Sequence, residues 1–262
     1  LLPGASAGME FLFKPDFSKV TGGVFLSALG QAFYSLSLGM GCMCTYASYF
    51  SRQTRLGTSA MQIGVIVIIV AVLSGLMIFP AAFSVGIKPD SGPSLIFITL
   101  PNVFREAFQF APALGYVVAI LFYLLLTLAA LTSLISLHEV STAFFHEELH
   151  ITRRRAATIV TSIGIVLGAF CSLSLGGWDW LQVFGRPLFE VCDFITGQVL
   201  MPLGGLIICL LVGWYLPHKL VRDEFTNWGT LRGRYLGLFV LCVKYVCPIG
   251  IILIFLNQFG LV

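Results

Sequence analysis

The 262-residue chain is 58% hydrophobic and only 10% charged, with a mean hydropathy of +0.95 and a formal net charge of +3. Soluble domains average about 25% charged residues, so this composition excludes a protein whose main solvent is water and predicts a polytopic membrane protein. The seven cysteines lie mostly in apolar runs and none forms a Cys-x-x-Cys pair. A metal or redox centre built on cysteine is therefore poorly supported.

The first twenty residues have neither a basic start nor a clean apolar core, so they do not form a signal peptide. Their pattern predicts a loop. Because the chain opens on Leu1 in such a segment, we expect it to be the later part of a longer protein.

Six apolar stretches are long enough to cross a bilayer, which takes about 20 residues. They cover residues 22–50, 61–86, 114–145, 156–176, 187–216 and 235–258. The loops between them are short, so the sequence predicts a single all-α integral membrane domain over residues 1–262 with six transmembrane helices.

The basic residues of the loops predict the orientation. One set of loops carries Arg52, Arg55, Arg153, Arg154, Arg155, Lys219, Arg222, Arg232 and Arg234, and the opposite set carries Lys14, Lys19, Lys88, Arg105 and Arg186. The positive-inside rule places the first set in the cytoplasm and the C-terminus outside a plasma membrane. In the external loop 87–112, LPNVFREAF predicts a short amphipathic helix that begins near Pro101, either a lid or a surface connector.

The first apolar stretch is interrupted at its centre. Residues 30–45 read GQAFYSLSLGMGCMCT, with Ser35, Ser37, Gly39 and Gly41 in the middle. Glycine weakens a helix, and free backbone groups in lipid are costly, so a break there requires a cavity or a ligand. Many secondary transporters build ion and substrate sites from helices broken at mid-membrane depth.

A second cluster of oxygen atoms is predicted in the third stretch. Ala129, Thr132 and Ser133 of LAALTSLIS follow the i, i+3, i+4 spacing and share one helix face. Two hydroxyls and a carbonyl suit a small hard cation such as sodium, by the logic that gives calcium oxygen ligands. The alternative is that both hydroxyls bond back to their own helix or join two helices.

Together these segments resemble the neurotransmitter:sodium symporter family. GQAFYSLSLGMG with TYASYFSR resembles its sixth helix, and LAALTSLISLHEV resembles its eighth. GLMIFPAAF, GPSLIFITLPNVF and KYVCPIGIILIFL resemble its seventh helix, fourth external loop and eleventh helix. The resemblance covers essentially the whole chain. It implies the second inverted repeat of a leucine-transporter-like fold plus one further helix, with the first helix broken, and a missing N-terminal repeat of five helices as partner.

The resemblance also implies a role for each site residue. Ser35 matches a ligand of a first sodium ion, and Ala129, Thr132 and Ser133 match the second sodium site. Gln31, Tyr34 and Asp193 match the outer gate, in which an arginine of the missing repeat would pair with the aspartate. The substrate-binding positions are Tyr34, Ser35, Ser37, Leu38, Gly39, Met40, Ser133 and Leu137. Without the resemblance, Asp193 fits a capped helix start, and Tyr34 and Met40 fit ordinary packing.

One position departs from the family pattern. Where the family places Asn or Asp among the ligands of the first sodium ion, this chain has Val67, with only Gln62 and Ser74 polar nearby. We therefore expect weaker coupling at that site, or coupling to one sodium ion.

The function implied is sodium-coupled import of an amino acid or related small amine by alternating access, with sodium as the only cofactor. We expect no enzymatic activity, no organic cofactor and no nucleic-acid partner. One alternative is a truncated membrane protein that transports nothing. Another is an intramembrane zinc protease, because HEELH places His146, Glu147 and His150 in the His-Glu-x-x-His pattern. A catalytic zinc needs a third protein ligand, which the sequence does not clearly supply.

Overall fold

The computed structural model describes residues 4–14, 16–51, 54–84, 95–175, 182–183, 185–229, 233 and 235–258. Its α-helices are α1 Ala5–Phe13, α2 Gly22–Ser35, α3 Cys42–Ser48, α4 Leu56–Ser84, α5 Leu100–Ala107, α6 Pro112–Glu148, α7 Arg153–Leu175, α8 Leu188–Asp193, α9 Met201–Leu210, α10 His218–Phe225, α11 Leu236–Leu241 and α12 Cys247–Gln258. A 3₁₀ turn covers Phe17–Lys19, and π-helical turns cover Leu95–Thr99, Phe194–Leu200, Leu211–Tyr215 and Cys242–Val246.

Among the described residues, five helical segments are long and apolar enough to cross a membrane. They are Leu56–Ser84, Pro112–Glu148, Arg153–Leu175, Leu188–Tyr215 and Leu236–Gln258. The last two are continuous because their π-turns join α8 to α9 and α11 to α12 without leaving the helical conformation. The remaining predicted stretch, 22–50, forms the two shorter helices α2 and α3, so the predicted break is present.

The chain divides into two compact units. One contains Leu1–Val20 and Gln62–Ser133, and the other contains Thr21–Met61 and Leu134–Val262. The prediction of one integral domain over 1–262 stays a prediction.

In the first unit, α1 corrects the prediction of a loop over the opening residues. Gly8 is buried so closely on α4 that a Cβ there would lie 2.5 Å from Cα of Pro80. Phe11 packs its ring 5.3 Å from Phe79 and 5.4 Å from Phe83. Small and aromatic residues one helical turn apart therefore form a packing face, which a search for a long apolar run does not detect.

The same unit contains the amphipathic helix predicted in the loop before α6. It is α5, with Pro101 in its first turn. The hydroxyl of Tyr123 on α6 donates to the carbonyl of Ile96 at 2.7 Å, and the rings of Phe104 and Phe122 are 5.5 Å apart. These contacts hold the segment 95–107 on α6.

The second unit is built around α12, which packs on both α9 and α2. A two-stranded antiparallel hairpin that the sequence analysis did not predict precedes α8. It pairs β1, Gln182–Val183, with β2, Arg186–Pro187. The hydroxyl of Ser174 near the end of α7 accepts the backbone N–H of Phe189 at 3.3 Å and so ties α7 to α8.

Candidate functional site

The break between α2 and α3 leaves backbone polar groups available. After Ser35 the chain turns with positive φ angles at Ser37 (51°), Gly39 (84°) and Gly41 (81°). The last helical bonds run from Ser37 N to Tyr34 O and from Leu38 N to Phe33 O. Among backbone groups of the described residues, the carbonyls of Ser37 and Leu38 and the amide of Gly39 have no hydrogen-bond partner. In a membrane such groups require an outside partner.

The turn rests directly on α9. A Cβ on Gly39 would lie 2.1 Å from the carbonyl oxygen of Met201 and 2.7 Å from the amide nitrogen of Gly205. A Cβ on Gly204 would lie 2.4 Å from the carbonyl oxygen of Gly39, and one on Gly205 would meet the ring of Phe33 at 2.4 Å. We call Gly39, Gly204 and Gly205 the glycine seat. It lets two backbones touch and fixes the position of the turn.

The three predicted gate residues lie together. Gln31, Tyr34 and Asp193 line one cavity of about 330 Å³ between α2, the π-turn before α9, and α12. Its other polar lining residues are Ser27, Gln198, Asn257 and Gln258. Within the described part of the chain, the carboxylate of Asp193 has no hydrogen-bond or ion-pair partner, and the buried Oε1 of Gln258 has none either. The cavity therefore offers polar groups whose hydrogen bonds are not used within this unit.

Asp193 is not a capping residue at a helix start, which corrects that interpretation. The helical segment begins at Leu188, and Asp193 is followed without interruption by the π-turn Phe194–Leu200. An acid inside an apolar helical segment is costly unless it is paired, and π-turns are frequent at functional sites.

The remaining predicted substrate residues are divided between locations. Ser37, Leu38 and Gly39 line a second, apolar cavity of about 820 Å³, on which α12 also borders. Ser35 ends α2, and Met40 lies in the turn. Leu137 is on α6 and is 45% exposed. The structure does not bring Ser35, Met40 or Leu137 into the cavity of the gate residues.

The predicted oxygen cluster is present on α6 in the first unit. The Thr132 hydroxyl donates to the carbonyl of Ala129 at 2.7 Å, and the Ser133 hydroxyl donates to the same oxygen at 3.4 Å. These bonds match the alternative in which hydroxyls bond back to their own helix. They also place three hard oxygens within one turn on an exposed surface, and this donor set fits sodium as part of its ligand shell.

A polar cluster that was not predicted from the sequence lies beyond the break. The hydroxyl of Tyr49 donates to Glu139 at 2.8 Å, and Arg153 bonds the same carboxylate oxygen at 2.6 Å. One turn away, the hydroxyl of Tyr46 bonds Ser136. Matching i, i+3 spacings, Tyr46 with Tyr49 and Ser136 with Glu139, were the signal in the sequence. The cluster joins the end of α3 to α6 and the start of α7.

Removing the shared acceptor of this cluster is expected to destabilise the protein. Glu139→Ala deprives both Tyr49 and Arg153 of a charged acceptor, and the cost is about 1–2 kcal/mol because the cluster is partly exposed. The midpoint of thermal unfolding in detergent measures it. Glu148→Ala on the same helix, where the side chain is exposed, is the control and should leave the midpoint unchanged. Equal midpoints for the two variants would contradict the stabilising role.

The helical geometry required by the HEELH hypothesis is absent. α6 ends at Glu148, and His150 has a left-handed φ of 53°, so His146 and His150 do not share a helix face. The His146 ring bonds the carbonyl of Ile151 at 2.6 Å. Among the described residues, no group of three His, Cys, Asp or Glu side chains is arranged to hold a metal ion.

The chain is similar to known sodium-dependent transporters over nearly its whole length. A family model described as the sodium:neurotransmitter symporter family matches residues 1–261. An uncharacterized sodium-dependent transporter of Haemophilus influenzae is 36% identical over 98% of the chain, and one of Bacillus subtilis is 35% identical over 99%. The chain covers 55% and 56% of these two relatives, so it spans about half their length.

A solved structure shares the fold. The crystal structure of MhsT in complex with L-phenylalanine matches 97% of the chain with a TM-score of 0.84 and 38% sequence identity. The match covers 56% of the MhsT chain. The nearly all-helical architecture described above is therefore shared with part of the MhsT chain.

Proposed function

The chain belongs to the sodium:neurotransmitter symporter family, and from that premise we propose that it forms part of a sodium-coupled symporter that imports an amino acid or related small amine. The family, together with five membrane-length apolar helices in the described part of the chain, identifies a multi-pass membrane protein. The proposal rests on the helix break that packs on α9, because the backbone carbonyls of Ser37 and Leu38 and the amide of Gly39 need a ligand. The MhsT complex, a relative crystallised with L-phenylalanine, supports an amino acid as that ligand.

The chemistry of the break suits an ammonium group. The carbonyls of Ser37 and Leu38 lie just beyond the C-terminal end of α2, where the helix dipole favours positive charge. Carbonyls of this kind accept hydrogen bonds from a substrate amine or coordinate a sodium ion. We assign the amine of the substrate, or the first sodium ion at Ser35, to this end of the break. Because Val67 stands where the family has Asn or Asp, the number of sodium ions carried per substrate stays a prediction.

Two clusters of polar side chains support alternating access. Gln31, Tyr34 and Asp193 share one polar cavity, and we assign them to the outer gate. The cluster of Tyr49, Glu139 and Arg153 lies beside loops that the positive-inside rule places in the cytoplasm. In the proposed cycle, sodium and substrate bind from outside, the outer gate closes, and the cytoplasmic cluster separates before release. The membrane potential contributes about 2.3 kcal/mol per charge per 100 mV.

We further propose that a repeat outside this chain completes the site. The chain spans about half the length of its relatives, and the three oxygens on α6 supply only part of a sodium shell. The carboxylate of Asp193 needs a cationic partner, which that repeat would provide as an arginine.

Uptake measurements test both proposals. Purified protein is reconstituted in liposomes and an inward sodium gradient is applied. Entry of radiolabelled amino acids is compared with entry in choline-containing buffer and with entry into protein-free vesicles. The complete protein should show sodium-dependent uptake, whereas residues 1–262 alone should insert and show none. Sodium-independent uptake by the complete protein would contradict symport. Sodium-dependent uptake by residues 1–262 alone would contradict the need for a further repeat.

A further inference from the structure

A lysine that lines neither of the two cavities described above lies inside the last apolar helical segment. Lys244 is the ninth residue of Leu236–Gln258 and belongs to the π-turn Cys242–Val246. At 1.5 Å per residue its Cα lies about 12 Å along the helix from Leu236. An ionisable residue at such a place is rare and requires a partner. None of the described carboxylates forms an ion pair with Lys244.

The ammonium group of Lys244 contacts two aromatic rings. Its Nζ lies 4.6 Å from the ring centroid of Trp214 and 5.8 Å from that of Tyr245, both within the range of a cation–π contact. The Trp214 indole N–H donates to the Lys244 carbonyl at 3.1 Å. A Cβ on the buried Gly213 would lie 3.0 Å from Cα of Lys244. These contacts fix the position of the ammonium, and no carboxylate of the described segments neutralises its charge.

The surroundings of the lysine are those of a membrane interface. Trp214 is 60% exposed, Tyr245 49% and Tyr215, the last residue of its helical segment, 82%. Exposed Trp and Tyr at the end of a spanning segment are typical of the aromatic belt at headgroup level. The connecting residues 216–235 carry four basic and two acidic side chains, which places this end on the side predicted to be cytoplasmic. A lysine near such an end extends its ammonium toward the headgroups.

We propose that Lys244, Trp214, Tyr215 and Tyr245 form a binding site for the phosphate headgroup of an anionic phospholipid in the leaflet on the side of residues 216–235. The ammonium supplies the charge for the phosphodiester, and the exposed aromatic rings border the glycerol and the upper acyl chains. A lipid fits better than a free anion because the exposed lining is apolar and aromatic.

Brominated lipids test the site without changing it. In the complete protein, every tryptophan except Trp214 is replaced by phenylalanine, and the protein is placed in phosphatidylcholine bilayers. Dibrominated phosphatidylglycerol should quench Trp214 more strongly than the same fraction of dibrominated phosphatidylcholine. Equal quenching by the two lipids would overturn the proposal.

Charge variants provide the second arm, read as retention of phosphatidylglycerol by native mass spectrometry. Lys244→Gln should lower retention about fivefold, the contribution of one cation near an anionic surface, and Lys244→Arg should preserve it. Lys219→Gln removes an exposed charge from the same connecting segment and is the matched control, with a smaller loss expected. Equal losses in Lys244→Gln and Lys219→Gln, or displacement of the lipid by millimolar inorganic phosphate, would overturn a lipid site at Lys244.

Discussion

Gly39→Ala is expected to abolish sodium-driven uptake in the complete protein and to lower the yield of folded material. The new Cβ would lie 2.1 Å from the Met201 carbonyl oxygen, a backbone atom that cannot rotate away. The residue also has a φ of 84°, which costs a non-glycine residue about 1–2 kcal/mol. The turn would have to leave its seat on α9. Size-exclusion chromatography in detergent measures folding, and liposome uptake measures transport.

Three further variants separate the clash from the strain: Gly41→Ala, Gly204→Ala and Gly164→Ala. Gly41→Ala has the same left-handed cost at φ 81°, but its Cβ would meet only Val140 Cγ1 at 3.6 Å, an ordinary contact. It should fold and retain partial uptake. Gly204→Ala places a Cβ 2.4 Å from the Gly39 carbonyl oxygen and should behave like Gly39→Ala. A Cβ on Gly164 would have no described atom within 4 Å, so Gly164→Ala should leave folding and uptake unchanged. If Gly39→Ala and Gly41→Ala transported equally well, the glycine seat would not be what positions the turn.

Thr132→Val and Ser133→Ala should each raise the sodium concentration needed for half-maximal uptake by about tenfold or more. Each removes a hydroxyl ligand of the proposed sodium ion, and a hydrogen-bonding group that meets a charge contributes about 1.5–3 kcal/mol. Sodium-dependent thermal stabilisation of the purified complete protein gives an independent readout. It should shift to higher sodium concentration in both variants.

The same helix offers control hydroxyls that also donate to carbonyls of the preceding helical turn. The Thr127 hydroxyl donates to the Tyr123 carbonyl at 2.7 Å, and the Ser141 hydroxyl donates to the Leu137 carbonyl at 3.4 Å. These distances match those of Thr132 and Ser133, so Thr127→Val and Ser141→Ala each lose an internal bond of comparable length. They should leave sodium dependence unchanged. Unchanged dependence in all four variants would assign the hydroxyls of Thr132 and Ser133 to bonding within α6 only.

The sequence could predict features that depend on local pattern. The glycines and serines of 35–41 predicted the break between α2 and α3, and the i, i+3, i+4 spacing predicted the oxygen cluster on α6. LPNVFREAF predicted α5. The family resemblance predicted a gate of Gln31, Tyr34 and Asp193; the structure shows that the three residues share a cavity, and their role as a gate stays a prediction.

Features that depend on distant partners could not be predicted in the same way. Gly204 and Gly205 look like ordinary small residues of a membrane helix until Gly39 is placed against them. Tyr49 and Glu139 are ninety residues apart, so their hydrogen bond requires the fold. α1 was predicted as a loop because its packing face consists of glycine and phenylalanine rather than of an apolar run.

The π-turn Phe194–Leu200 sets the angular phase of its helix. A π-turn takes one more residue than an α-turn, so everything after it is rotated by about 100° relative to an uninterrupted α-helix. In this chain the turn separates Asp193, which borders the polar cavity, from Gly204 and Gly205, which contact the break. A single inserted residue therefore determines which direction Asp193 faces when Gly204 and Gly205 contact Gly39. The number of residues in this π-turn is therefore as strictly constrained as their identity. Deleting one residue would rotate Asp193 by about 100° relative to Gly204 and Gly205.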